Sequence, residues 1–377
     1  MINITKTIFD DEEIKGIKEV LDSGWVVQGP KVAEFEKLIA DFSNAPYTVA
    51  VSNCTTGLHI ALLALGIGRG DEVIVPAFTF IASANACEYV GAKPVFIDID
   101  LDTFNINVTK IEAAITEKTR AILPVHLFGL SANMDPILKI AKKYNLKVVE
   151  DAACAIGTKY RNIHVGLLGD VGVVSFHPRK AITTGEGGMI LTRNHELALK
   201  AKSLRDHGAA VSDFDRHEGP SHKLPTYEHV GFNYRMTDIQ GAIGVAQAHK
   251  LQMILDGRIK HAKVYDEAFK DYKYLKTPTV PEYSTHCYQS YVLLVKENSP
   301  LTRDQISEKL AEKEIATRQG TQNVPMLGYF KNTYRYNTGD FPNSDYAELN
   351  TLTIPLYADM TKEEQSYIIS EIKKLFK

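Results

Sequence analysis

From about residue 47 onward, apolar residues fall into two alternating patterns. Short runs rich in β-branched residues read as strands at Tyr47–Val51, Glu72–Val75, Lys93–Ile97, Ala121–Val125, Lys147–Glu150, Val171–Phe176 and Gly188–Thr192. Between them lie stretches with helical spacing, such as Met134–Tyr144 and Gly57–Leu65, the latter with apolar positions at Leu58, Ala61, Leu62 and Leu65. Strands alternating with helices predict an α/β domain on a mostly parallel, seven-stranded sheet flanked by helices. The last two strands are joined by a short loop in place of a helix, and that loop is crowded with reactive side chains.

Near Thr237 the pattern changes. Thr237-Asp238-Ile239-Gln240 is a capping-box sequence opening a long, Ala-rich helical stretch, which is expected to pause at Asp256-Gly257 and resume to about Tyr272. Beyond it the pattern predicts a strand at Tyr291–Val295, a helix at Arg303–Lys313 and a final helix from Thr361, again a capping box. Two domains are expected: a large α/β domain over residues 1–240, and a linker helix with a small C-terminal α+β domain over residues 241–377. The N-terminal segment could pack with the small domain.

Composition narrows the class. With 44% hydrophobic and 24% charged residues, the 377-residue chain is of ordinary globular type and neither collagen-like nor disordered. Forty-three Lys and Arg against 46 Asp and Glu leave a net charge of -3 without a run of like charges, so no nucleic-acid or membrane-binding surface is expected. The acidic start, Asp10 to Glu13, does not read as a signal peptide, and no segment reaches the roughly 18 apolar residues of a membrane span. Cys54, Cys87, Cys154 and Cys287 are far apart with no Cys-x-x-Cys pair, which argues against a zinc site or a disulfide framework. A cytoplasmic location is the expectation.

Several common nucleotide and metal motifs are missing. Gly66, Gly68 and Gly70 have the wrong spacing for a dinucleotide fingerprint and read as turn glycines, and there is neither a Gly-Lys-Ser/Thr phosphate loop nor a His-Glu-x-x-His. Three other segments carry the chemistry, each at the carboxyl end of a predicted strand, where open α/β sheets bind ligands. Ser52-Asn53-Cys54-Thr55-Thr56-Gly57 puts hydroxyls and backbone N–H groups at a helix start, a site suited to phosphate, although a simple N-cap is the plainer reading. Val148-Val149-Glu150-Asp151-Ala152-Ala153 places Asp151 at the end of a buried strand beside two small residues that leave room for something flat; a strand-end cap is the alternative. Ser175-Phe176-His177-Pro178-Arg179-Lys180 through Gly185-Glu186-Gly187-Gly188 holds a lysine between two strands, where desolvation would free its amine to attack a carbonyl.

A phosphate cradle, a carboxylate and a nucleophilic amine are what pyridoxal 5′-phosphate requires. Phe80, in Pro76-Ala77-Phe78-Thr79-Phe80, offers a face for its ring, with core packing as the alternative.

At these residues the chain resembles the DegT-type sugar aminotransferases, a branch of the fold type I pyridoxal-phosphate enzymes. The likeness runs from Ser23-Gly24-Trp25 to Ile354-Pro355-Leu356-Tyr357 and is most specific at Glu150-Asp151-Ala152-Ala153, Ser175-Phe176-His177-Pro178, Lys180 and Gly185-Glu186-Gly187-Gly188. The resemblance implies that Lys180 carries the cofactor as a Schiff base and shuttles protons, with pyridoxamine phosphate as the alternate form. It implies that Asp151 pairs with the ring nitrogen, that Phe80 stacks on the ring, and that Thr55, Thr56 and Ser175 hold the phosphate. Asn233, in Gly231-Phe232-Asn233-Tyr234-Arg235-Met236, would reach the phosphate of the neighbouring site in a homodimer; a helix-entry cap is the alternative.

Two positions depart from the family pattern. Cys154 stands where Gln, His or Glu is common near the cofactor's phenolic oxygen, and a thiol is a weak donor there. Ala181 follows Lys180 where Asn is frequent. Retention of Lys180 separates the chain from the family's deoxygenating members, which carry His at that position.

The resemblance further implies ping-pong transfer from L-glutamate, leaving 2-oxoglutarate, to a nucleotide-linked keto-deoxysugar. The His177-Pro178-x-Lys180 and Gly185-Glu186-Gly187-Gly188 forms are similar to those of enzymes acting on 4-keto-6-deoxy sugars, such as perosamine synthases. Members acting on 3-keto sugars more often carry Tyr-Pro and Gly-Asp-Gly-Gly. His177, Glu186 and Arg318 are candidates for substrate contact, the arginine near the diphosphate or nucleotide. The product would be an amino sugar for an O-antigen, another surface glycan or a glycosylated metabolite. A non-catalytic cofactor-binding regulator of the same fold is the rival class.

Overall fold

The computed structural model describes residues 1–209, 226–227 and 229–376. The seven predicted strands form one sheet: β1 (Tyr47–Val51), β2 (Glu72–Pro76), β3 (Lys93–Ile97), β4 (Thr119–Ile122), β5 (Lys147–Asp151), β6 (Val171–Ser175) and β7 (Gly188–Thr192). Their spatial order is β1-β7-β6-β5-β4-β2-β3. The pairs from β3 across to β6 are parallel, and β7 runs antiparallel to both of its neighbours. The reversal follows from chain length, because the residues between β6 and β7 make a loop and not the crossover helix that a parallel return needs. Strands β2, β6 and β7 are buried along their whole length, as expected of a sheet covered on both faces.

The helices around the sheet are α1 (Asp11–Ser23), α2 (Pro30–Ser43), α3 (Cys54–Ala64), α4 (Ala82–Tyr89), α5 (Met134–Tyr144) and α6 (His195–Arg205). Helix α3 begins three residues before the predicted start at Gly57. The Asn53 side chain accepts the Thr56 N–H while the Thr56 hydroxyl sits against the Asn53 backbone, a reciprocal cap that hydrophobic spacing does not report. Strand β4 ends at Ile122 and not at Val125. Pro124 has no N–H to give the ladder, and Val125 makes only an isolated bridge to Asp151.

Helix α7 (Asp238–Phe269) starts at its predicted Thr237 cap and runs 32 residues without the expected pause. Gly257 lies inside it because the helix passes close to Ala358: a Cβ there would sit 2.7 Å from the Ala358 carbonyl oxygen. Its neighbour Arg258 is buried and donates to the carbonyls of Tyr288 and Gln289.

A second, antiparallel sheet contains β8 (Leu275–Lys276), β9 (Tyr291–Val295), β10 (Arg318–Gln319) and β11 (Thr351–Ile354) in the order β8-β9-β11-β10. Helices α8 (Arg303–Ala311) and α11 (Lys362–Lys374) accompany it, with α9 (Gly328–Tyr334) and α10 (Pro342–Asn350) between them in sequence. Tyr265 and Phe269 of α7 share a core with Leu293, Ile306, Leu352 and Ile368. The N-terminal residues lie along this sheet, with Ile2 bridged to Ile315 and the Leu356 N–H donating to Ile4. The two sheets are also tied by Phe78–Thr79, which pairs antiparallel with Gln322–Asn323. Among the described residues no helix is long and apolar enough to cross a membrane.

Candidate active site

The carboxyl ends of β1, β5 and β6 bring the three predicted segments to one edge of the large sheet. Alternation along β5 sends adjacent acids to opposite faces. Glu150 is fully buried and accepts the amides of Gly166 (2.8 Å), Leu168 and Gly169 (both 2.7 Å), with His126 Nε2 at 2.9 Å. Burial works to raise its pKa, but His126 and the glycine amides prevail and hold the carboxyl below its ordinary value.

Asp151 faces the other way and is only 5% exposed. One oxygen, Oδ2, accepts the Ser83 hydroxyl at 2.7 Å, and Oδ1 accepts the Ala153 N–H at 3.1 Å. Among the described residues no Lys, Arg or His pairs with it. Lys180 acts on this carboxylate through space without forming an ion pair with it, which leaves room for a further positive partner.

Lys180 occupies the β6–β7 loop, its backbone N–H bound to the His177 carbonyl and its Nζ 3.1 Å from Cys154 Sγ. Desolvation is one side of the balance at this amine. Burial does lower the pKa, but Cys154, then Cys54 and Asp151, more than reverse it, so the ammonium is held above its ordinary range. Cys54, the first residue of α3, is itself pushed well up by burial.

At the start of α3, Ser52 Oγ and Thr56 Oγ1 are 3.2 Å apart, and the Thr56 hydroxyl donates to the Asn53 carbonyl at 2.8 Å. The cap is therefore Asn53, and the first-turn amides of Cys54 and Thr55 have no partner within the helix. Gly188 permits the close approach of β7: a Cβ there would lie 2.7 Å from the Cys54 nitrogen. Ser175 is buried at the end of β6, its Oγ only 3.4 Å from the His177 N–H.

The remaining candidates are more dispersed. Phe80 is 64% exposed, so core packing does not explain it. Asn233 is exposed and its backbone bridges to Asp206; Thr237, not Asn233, caps α7. His177 Nδ1 accepts the Arg179 N–H at 3.2 Å, and burial lowers the ring's pKa. Glu186 is exposed, with its carbonyl taken by Gln240 Nε2 at 2.7 Å. Arg318 lines a small, partly open pocket with Arg179, Gln289, Ser290, Thr5 and Thr353. Burial pulls its pKa down and the like charge of Arg179 adds to this; neither guanidinium has a carboxylate partner among the described residues. Ala181 is buried and offers no polar side-chain atom beside Lys180.

Sequence reasoning missed Ser83, His126 and Arg179. Ser83 and His126 act on carboxylates from distant segments, a relation that leaves no local pattern. Arg179 adjoins Lys180 and could have been noticed as a second cation in the same loop.

Residues 7–373 match the DegT/DnrJ/EryC1/StrS aminotransferase family. The chain belongs to this family. It is 38% identical over 368 residues to the spore coat polysaccharide biosynthesis protein SpsC of Bacillus subtilis, covering 97% of this chain and 95% of that one. Among solved structures it is similar to the PMP-form of Spr1654 from Streptococcus pneumoniae, with TM-score 0.93, 29% identity and coverage of 100% and 99%. Helicobacter pylori PseC, an aminotransferase of pseudoaminic acid biosynthesis, gives TM-score 0.91, 26% identity and the same coverage.

This is a sugar aminotransferase of a pyridoxal-phosphate-dependent family. The donor set here fits that cofactor: an amine, a buried acid outside any ion pair, and amides at a helix start without a partner in the helix. When bound, pyridoxal phosphate supplies an aldehyde for amine exchange and a ring that withdraws electrons.

Proposed function

We propose that this sugar aminotransferase moves the amino group of L-glutamate to a nucleotide-linked 4-keto-6-deoxy sugar, in the cytoplasm and as a homodimer. The observation that carries the reading is Lys180: an amine 3.1 Å from Cys154 and electrostatically coupled to the buried Asp151. Lys180 captures the cofactor and moves a proton at its Nζ, and Asp151 answers the ring nitrogen's positive charge. Phe80 covers the ring. Thr55, Thr56 and Ser175 hold the phosphate together with the amides at the start of α3, Cys154 borders the ring, and Asn233 serves the partner's site.

The unpaired Arg318 suits an anionic nucleotide diphosphate, and His177 and Glu186 flank the loop from which the sugar would be approached. Residues 1–240 would then form the cofactor domain, with 241–377 completing the substrate site. The roles of PseC in pseudoaminic acid biosynthesis and of SpsC in spore coat polysaccharide biosynthesis support an amino sugar for a surface glycan.

The test is incubation with glutamate and UDP-, GDP- or dTDP-linked 4-keto and 3-keto sugars, followed by identification of the aminated product and assay of 2-oxoglutarate. Amination of 4-keto substrates is expected. Exclusive amination at C3 overturns the regiochemistry, and no amination in any pool overturns the sugar-nucleotide reading.

A further inference from the structure

We infer that Ser83, held in place by Thr79, is a positioning residue for Asp151 and sets how tightly the site retains pyridoxal phosphate. The inference rests on the assignment of Asp151 to the cofactor's ring nitrogen.

Ser83 is completely buried in the first turn of α4, and its hydroxyl donates to Asp151 Oδ2 at 2.7 Å, the shortest bond that carboxylate makes. That bond uses the only hydroxyl hydrogen Ser83 has. Thr79 Oγ1, 3.1 Å from Ser83 Oγ and also buried, must therefore be the donor in the second bond. The result is a directional chain, Thr79 to Ser83 to Asp151, in which each hydroxyl polarises the next in a buried setting.

The backbone pre-sets this chain. Thr79 pairs with Gln322 across the small two-stranded ladder, and the Val324 N–H donates to Ala77. The Ser83 N–H is tied to the Phe80 carbonyl at 3.2 Å. Residues 79–83 thus present the exposed Phe80 ring and the buried Ser83 hydroxyl. Since no cation lies within ion-pair distance of Asp151 among the described residues, the Ser83 hydroxyl and the Ala153 amide are the groups that hydrogen-bond its buried carboxylate. Removing the Ser83 hydroxyl leaves Oδ2 without that donor and weakens the partner offered to a cationic ring.

The experiment measures the pyridoxal phosphate dissociation constant of the full chain by fluorescence quenching, and the pH midpoint of the bound cofactor's visible absorbance. Ser83→Ala is expected to weaken binding by about tenfold or more, as loss of a bond to a charged group does, and to move the midpoint. Thr79→Val, which keeps shape and removes the hydroxyl, should do both to a smaller extent, and Thr79→Ser should restore both. Wild-type affinity and midpoint in Ser83→Ala, or Thr79→Ser no better than Thr79→Val, overturns the inference. Should Ser83→Ala fail to fold, the Thr79 pair decides alone, since it leaves Ser83 and Asp151 in place. A wild-type chain in which borohydride fixes no cofactor on Lys180 overturns the cofactor assignment and the inference with it, whereas wild-type uptake with an unaltered Ser83→Ala overturns the inference alone.

Discussion

Lys180 Nζ donates to Cys154 Sγ at 3.1 Å, and this contact joins the loop between β6 and β7 to the end of β5. Burial lowers the pKa of this lysine, yet Cys154, Cys54 and Asp151 more than offset that and raise it above its ordinary range. The neighbours of Lys180 thus favour its ammonium form in the cofactor-free chain.

Lys180→Ala removes the group we propose takes the cofactor's aldehyde. The variant is expected to lose the visible absorbance of lysine-bound cofactor and to lower transamination by a factor on the order of 1000 or more. Absorbance spectra and release of 2-oxoglutarate check this. Turnover at the wild-type rate would falsify the role given to Lys180.

Cys154→Ala tests the balance at Lys180 directly. Without the thiol, burial faces less opposition, the Lys180 pKa falls, and more of the amine is neutral near pH 7. Uptake of pyridoxal phosphate by cofactor-free protein should then become faster at neutral pH, with its pH profile moved to lower pH. An unchanged profile would show that Cys154 does not hold the proton in place.

Two buried histidines predict a particular acid sensitivity. His164 accepts the Gly157 N–H at Nε2 (3.0 Å), and His286 accepts the Tyr288 N–H at Nδ1 (2.9 Å), so protonation of either nitrogen breaks a bond. Burial lowers their pKa values from 6.5 to about 4 and about 3. Between these values and 6.5 the unfolded chain binds more protons than the folded one. Stability is therefore full above pH 6.5 and falls as pH drops through that window, by about 1.4 kcal/mol per pH unit for each histidine. Urea midpoints measured from pH 7 to pH 5 should show the slope, and His286→Gln should reduce it by about one proton. Equal slopes for the two proteins would contradict the assignment.

Gly257→Ala separates packing from propensity. Alanine gains roughly 1 kcal/mol over glycine in a free helix. Here its Cβ would fall 2.7 Å from the Ala358 carbonyl oxygen and 2.9 Å from the Ala358 Cβ. Overpacking of this kind costs about 1–3 kcal/mol. A lower melting temperature is expected, and a stabilised variant would mean that the segment at Ala358 yields.

The parts legible in sequence are those decided within a few residues. Met134–Tyr144 is a helix of the predicted bounds because its own spacing defines an apolar face, and the boxes at Thr237 and Thr361 cap their helices because both partners lie three residues apart. Gly257 was misread for the same reason. Glycine in a helix looks like a break when its neighbour in space, Ala358, is about 100 positions away in sequence.

The same division runs through the site. By itself the sequence determined the strand–helix alternation, the family, and the presence of an amine, an acid and a hydroxyl-rich helix start, since residue identity and local spacing carry that information. Only the tertiary structure decided which groups meet: Ser83 against Asp151, His126 against Glu150, Arg179 beside Arg318, and Lys180 on Cys154. Protonation belongs to this second class. The charge of a buried lysine is the balance between desolvation and every neighbour within a few ångströms, and those neighbours come from β5, α3 and the β6–β7 loop, brought to one sheet edge by folding alone.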